Sequence, residues 1–150
     1  MAEEIANTSH QAKIVMAKLL NGLDSEFTEE ILKVLLTSMS LFFILSSKYR
    51  KNLENFNGRY LFRSKDNTFA VAAVFKNGSL EVIDGTIDAP NIAIIFKNPA
   101  ALRNFIFSPK PDILNAILKQ DVTIDGNLNY LYKFAYMANH LKLMAQKLFA

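Results

Sequence analysis

Apolar and polar positions along this chain fall into stretches of helical period and stretches of period two. The longest helical stretch lies in residues 121–150, DVTIDGNLNYLYKFAYMANHLKLMAQKLFA, after a short β-pattern (Val122, Ile124) and an Asp125-Gly126 turn. At about 100° per residue, Tyr130, Leu131, Phe134, Met137, Ala138, Leu141, Met144, Ala145 and Leu148 share one stripe. Asn129, Lys133, His140 and Lys147 take the other side, where His140 reads as a solvated histidine. Such a helix is unstable alone in water, so its stripe must cover apolar surface elsewhere. Tyr132, Tyr136 and Leu143 project away from the stripe without being polar. Packing against another element is the plain expectation for them, with a dimer contact or a membrane contact as alternatives.

Residues 3–20 predict a first amphipathic helix carrying Ile5, Ala12, Val15, Met16 and Leu19, with a stop at Asn21-Gly22. A second helix starts at Thr28 as N-cap, with Glu29 and Glu30 at its positive end and Lys48, Arg50 and Lys51 at the other. The run between is apolar around most of its circumference, and Lys33, Thr37, Ser40 and Ser47 mark a polar seam. It measures about sixteen residues, short of the ~20 a membrane span requires. An enclosed helix follows, surrounded by protein, by ligand or by both.

From Asn57 the period changes to two. Tyr60, Phe62 and Ser64 alternate with Leu61, Arg63 and Lys65; Phe69, Val71, Ala73 and Phe75 follow the Asp66-Asn67 turn. Asn77-Gly78 is a strong hairpin signal because both residues tolerate positive φ. Two-residue turns at both places pair Phe75 with Leu80, Ala73 with Val82, Val71 with Phe62 and Phe69 with Ser64. All the large apolar residues then share one face, which predicts a three-stranded meander. The opposite face, with Arg63, Lys65, Lys76 and Glu81, is expected to be solvated. A fourth strand spans residues 90–97, and Asn98-Pro99 opens a short helix through Phe107. After Ser108-Pro109-Lys110-Pro111, residues 112–120 form another short helix with Ile113, Leu114, Ile117 and Leu118 inward. A fifth strand at residues 122–124 precedes the final helix. The result is an α+β domain: a helix pair, three antiparallel strands, then a strand–helix–strand–helix tail.

Composition sharpens this picture. The chain of 150 residues is 51% hydrophobic, with twelve Phe, five Tyr and no Trp, and its mean hydropathy is +0.12. Residues 28–150 are expected to form the domain and residues 1–27 a helical extension. The net charge of +3 comes from scattered Lys and Arg, with no basic stripe interleaved with aromatics, so nucleic acid is excluded as a partner. The absence of Cys removes disulfides, thiol nucleophiles and thiolate metal sites. The two histidines, His10 and His140, form no metal-ligand spacing, and no cofactor is expected. Asp84, Asp88, Asp121 and Asp125 lie near strand ends, where Asp before Gly serves turn geometry, so an enzyme is not expected. The polar start, MAEEIANTSH, does not resemble a secretory signal, and the end, Lys147-Leu148-Phe149-Ala150, lacks a Ser-Lys-Leu address, so a cytoplasmic location is expected.

What stands out is apolar surface. Either the core absorbs it, or the helices and sheet enclose a cavity for an apolar guest. Wheels and strand faces place Leu35, Met39, Phe42, Phe43, Phe75, Phe105, Phe134 and Met137 around that cavity. The Ala70-Val71-Ala72-Ala73 run and Met39, Met137 and Met144 suit an adaptable pocket.

Several strings together resemble the sterol carrier protein 2 family across about residues 40–140. They are Asn57-Gly58-Arg59-Tyr60, Lys76-Asn77-Gly78-Ser79-Leu80-Glu81-Val82 and Asp84-Gly85. Further on come Ile94-Ile95-Phe96-Lys97-Asn98-Pro99 with Leu102, then Asp121-Val122-Thr123-Ile124-Asp125-Gly126-Asn127. The resemblance, to a stand-alone prokaryotic-type member, implies a five-stranded mixed sheet with helices packed on one face and an apolar tunnel between. It implies non-enzymatic binding and intracellular transfer of a sterol, fatty acid, fatty acyl-CoA or phospholipid. Residues 1–27 lie outside it. A ligand-free interaction or regulatory domain acting as a homodimer through Tyr132, Tyr136 and Leu143 is the alternative, and transient membrane contact stays open.

Overall fold

Two tight turns begin the sheet. In the computed structural model, which describes residues 28–107 and 113–148, Asn77 and Gly78 both adopt positive φ, 54° and 72°. That left-handed pair twists with the flanking strands and joins β2 (Ala70–Lys76) to β3 (Ser79–Asp84). Phe75 pairs with Leu80 and Ala73 with Val82, while β1 (Gly58–Ser64) pairs with β2 through Phe62 and Val71. Ser64 and Phe69 close the first hairpin, the Ser64 N–H donating to the Phe69 carbonyl at 3.2 Å. The meander and its register are as the alternation predicts.

The remaining strands extend the sheet past β1. β4 (Ile92–Phe96) runs parallel to β1, and β5 (Val122–Gly126) pairs antiparallel with β4 at the edge. The order is β3-β2-β1-β4-β5, a five-stranded mixed sheet. Gly126 closes the last pairing at φ 126°, and a Cβ there would run into the Asn91 carbonyl oxygen, so no larger residue fits.

The helices supply the other layer. α1 (Thr28–Leu45) lies along β3, and its polar seam makes the attachment: Lys33 Nζ meets Asp84 at 3.3 Å and Ser40 Oγ donates to the Leu80 carbonyl at 3.2 Å. Against the expectation of one helix reaching Lys48, Arg50 and Lys51, the apolar run breaks after Leu45. Ser46 takes extended φ and ψ and accepts from the Tyr49 N–H, starting a new short helix, α2 (Ser47–Arg50). Arg50 then folds back, its Nη1 donating to the Phe43 carbonyl at 2.9 Å and satisfying the end of α1. The bend is 107°, and among the described residues no single helix is long and apolar enough to cross a membrane. α3 (Pro99–Phe107) starts at an Asn98 cap whose Oδ1 accepts from the Ala101 N–H at 2.9 Å. α4 (Ile113–Leu118) and α5 (Leu128–Leu148) complete the described chain. The helix expected over residues 3–20 lies outside the described residues.

Two further expectations need correction. Leu118 does not point inward: it is 75% exposed, at the last residue of the short α4, while Ala116 and Ile117 pack against the core. The outer sheet face is not uniformly solvated either. Lys65, Lys76 and Glu81 are exposed, but Leu61, Ala72 and Ala93, aligned across three strands, are buried.

Candidate functional site

Between the helices and the sheet, aromatic rings pack among a larger number of aliphatic side chains. Phe134 on α5 stands 5.0 Å from Phe62 and 5.7 Å from Tyr60, centroid to centroid, and stacks on Phe105 of α3 at 6.3 Å. A second group forms where α1 ends: Phe43 stacks on Tyr49 at 4.5 Å and meets Phe75 edge-on at 6.2 Å. Such pairs add to the stabilisation from area burial alone. The eight cavity residues expected from the sequence therefore divide. Phe42, Phe43 and Phe75 surround Tyr49 or each other; Phe105 and Phe134 sit over β1 and β4; Leu35, Met39 and Met137 belong to the same core. Phe105 is half-buried, and the other seven present almost no accessible surface, none above 5%.

Two buried tyrosines bind this layer together. The Tyr49 hydroxyl donates to the Met137 carbonyl at 2.9 Å and the Tyr60 hydroxyl to the Tyr130 carbonyl at 2.7 Å. Burial pushes both phenols well above their ordinary pKa, so they stay neutral donors. Both tie α5 down, one from α2 and one from the sheet.

His140 is not the freely solvated residue its wheel position suggested. Asn52 Nδ2 donates to its Nδ1 at 3.0 Å and to the Tyr49 carbonyl at 2.8 Å, which leaves the imidazole proton on Nε2. The ring packs edge-on to Tyr49 and near Tyr136. Burial first, then Lys48 and Lys147, lowers its pKa from the ordinary 6.5.

The carboxylates do not assemble into a catalytic pair. Asp84 meets Lys33, Asp88 offers its backbone carbonyl to Arg59 at 2.7 Å, Asp121 immediately precedes β5, and Asp125 lies within it opposite Ala93. Among the described residues no group of three or more His, Cys, Asp or Glu could hold a metal. Sequence reasoning missed Arg103 of α3, whose buried Nε has no hydrogen-bond partner. It also missed a trough of about 540 Å³ along β5. Ile117, Val122 and Ile124 line the trough on the core side, Ile95 and Thr123 on the outer face, with Lys65 and Lys97 at one end.

No family model matches the chain, and no curated protein does. Solved structures do. A UbiJ–SCP2 ubiquinone synthesis protein superposes with a TM-score of 0.54 at 14% identity, over 71% of this chain and 87% of that one. Sterol carrier protein 2 from Yarrowia lipolytica, in its apo form, gives 0.55 at 11% identity over 80% and 91%. Part of the sec-alkylsulfatase Pisa1 from Pseudomonas sp. gives 0.52 at 20% identity, over 65% of this chain but 16% of that enzyme. Helices on a β3-β2-β1-β4-β5 mixed sheet, superposing on these domains over most of their length, are the fold of sterol carrier protein 2.

Proposed function

We propose that this protein binds an apolar lipid without covalent chemistry and carries it between membranes, the guest lying between the helices and the sheet. The observation supporting this is the continuous apolar layer from Leu35 and Met39 through Phe75 to Phe134 and Met137, on a fold shared with sterol carrier domains. The guest takes the place of ring-to-ring packing: the helices part and Phe and Met side chains, Phe105 first, turn to line the chain. Methionine suits this because its unbranched thioether adopts many shapes at little cost. Burying an acyl chain is worth roughly 0.8 kcal/mol per CH₂, so a sixteen-carbon chain gains on the order of 10 kcal/mol before ordering and repacking costs. That is comparable to what the chain gains in a bilayer, so uptake and release are both accessible.

The test is titration of the purified protein with a fluorescent fatty acid, alongside lipid extraction and native mass spectrometry. Saturable binding is expected, and Phe105→Gln, at the half-buried ring, should weaken it about tenfold while the thermal midpoint stays within a few degrees. No saturable binding of any fatty acid, sterol or phospholipid would refute the reading. A second reading has one observation behind it: Tyr132, Tyr136 and Leu143 are all more than half exposed. A lipid-free dimer in the same mass spectra, broken by Tyr136→Ser, would favour the interaction domain.

A further inference from the structure

The trough along β5 has the features of a site for an amphiphile. Its volume of about 540 Å³ lies within the roughly 300–1,000 Å³ of small-molecule pockets. β5 contributes five residues, a length of roughly 17 Å at the strand rise. The wall carries isoleucines on both sides of the sheet edge, Ile95 from β4 on the outer face and Ile117 and Ile124 on the inner, with Thr123 and Gln120 among them. Ile117, Val122 and Ile124 are also part of the packed core or lie against it, so the wall of the trough is the back of the aromatic layer.

Charge is concentrated at one end. Arg63 pairs with Ile95 in the parallel register, and the Lys65 N–H donates to the Phe96 carbonyl at 2.9 Å. Lys65 and Lys97 therefore emerge side by side, two residues further on, just past the ends of β1 and β4. Neither ammonium has an ion-pair partner among the described residues. Asp121, whose carbonyl accepts from the Lys97 N–H, makes no ion pair with either lysine. Two adjacent cations without an ion pair among the described residues, above a trough lined by Ile95, Ile117, Val122 and Ile124, match one ligand chemistry, a single chain with an anionic head.

We propose that this trough is the entry site for a single-chain anionic amphiphile, its head on Lys65 and Lys97 and its chain along β5. The inference rests on the lipid-binding reading and names the lipid class and the place of first contact. The chain then slips past Ile124 into the layer beneath α5, while the head stays outside on the lysines.

The experiment titrates dodecanoate, dodecyl phosphate and dodecanol into the full chain and follows the methyl resonances of Ile95, Ile117 and Ile124. Both anions should bind about tenfold more tightly than the alcohol at low salt, and added salt should shrink the difference. Lys65→Gln/Lys97→Gln should erase that preference and leave dodecanol binding unchanged, while Arg103→Gln should leave the preference intact. Equal response to carboxylate and phosphate indicates a site that reads charge alone; a stronger response to one identifies the head group, and either supports the proposal. Equal affinity of anions and alcohol, a preference lost through Arg103→Gln instead, or trough methyls that do not shift would overturn it. Dodecanol binding without charge preference leaves the carrier reading standing, whereas no binding of any of the three overturns both.

Discussion

The two sides of α5 share one backbone and meet opposite fates. On one side Leu131, Phe134, Met137, Leu141 and Ala145 are wholly buried; on the other Tyr132, Tyr136 and Leu143 are 51%, 64% and 52% exposed. The buried side lies against rings from β1 and α3 and receives two tyrosine hydroxyls on its carbonyls. The exposed side has comparable apolar character and none of those partners. Hydrophobicity alone therefore does not decide burial; the presence of a shaped opposing surface does. His140 sits between the two sides, half-buried, its nitrogen held by Asn52.

Substitutions at these positions should separate in size. Phe134→Ala removes a ring in contact with three others, and denaturant unfolding should show a loss of about 3–5 kcal/mol. A loss under ~1 kcal/mol would mean that the layer beneath α5 is loosely packed. Tyr60→Phe and Tyr49→Phe each remove one hydroxyl from an otherwise intact ring contact and should cost about 1 kcal/mol, nearly additively because they grip different turns. The third effect depends on pH. Folded His140 resists protonation, so the unfolded chain takes up the proton first. Its share of the stability is intact above the ordinary pKa of 6.5 and is lost as pH falls through the lower, folded value. His140→Gln should flatten the stability profile below about pH 6.5, and an unchanged profile would place the effect elsewhere. Tyr136→Ser, on the bare side, should move stability by no more than about 0.5 kcal/mol. A larger loss would reveal that this face is covered in solution.

The legible parts of the fold were those written in local periods. The α5 stripe follows from spacing alone, and the hairpin register follows from two turns that both place Phe62, Val71, Phe75 and Leu80 on one face. Nothing local marks the parallel pairing of β1 with β4, because Tyr60 and Ile92 are distant in sequence and two further strands with their turns lie between them. Ser46 was equally silent: a serine that breaks a helix reads the same as Ser38, which stays within α1 and donates to the Val34 carbonyl. The wheel gave His140 a direction but not its neighbours, since Asn52 and Tyr49 lie 88 and 91 positions away by their numbers. The β5 trough was out of reach for the same reason, being assembled from β4, β5, α4 and two lysines that no single stretch contains.

The parallel seam between β1 and β4 also orders events in time. Hairpins close by joining near neighbours, so β1, β2 and β3 can zip up on contact. The join of Phe62 to Ile94 must instead wait for the intervening chain to come full circle, at a loop-closure cost that only later burial repays. Shortening the Ile94 side chain should thus retard refolding. The middle of the sheet, its most enclosed part once built, would be its last seam to close.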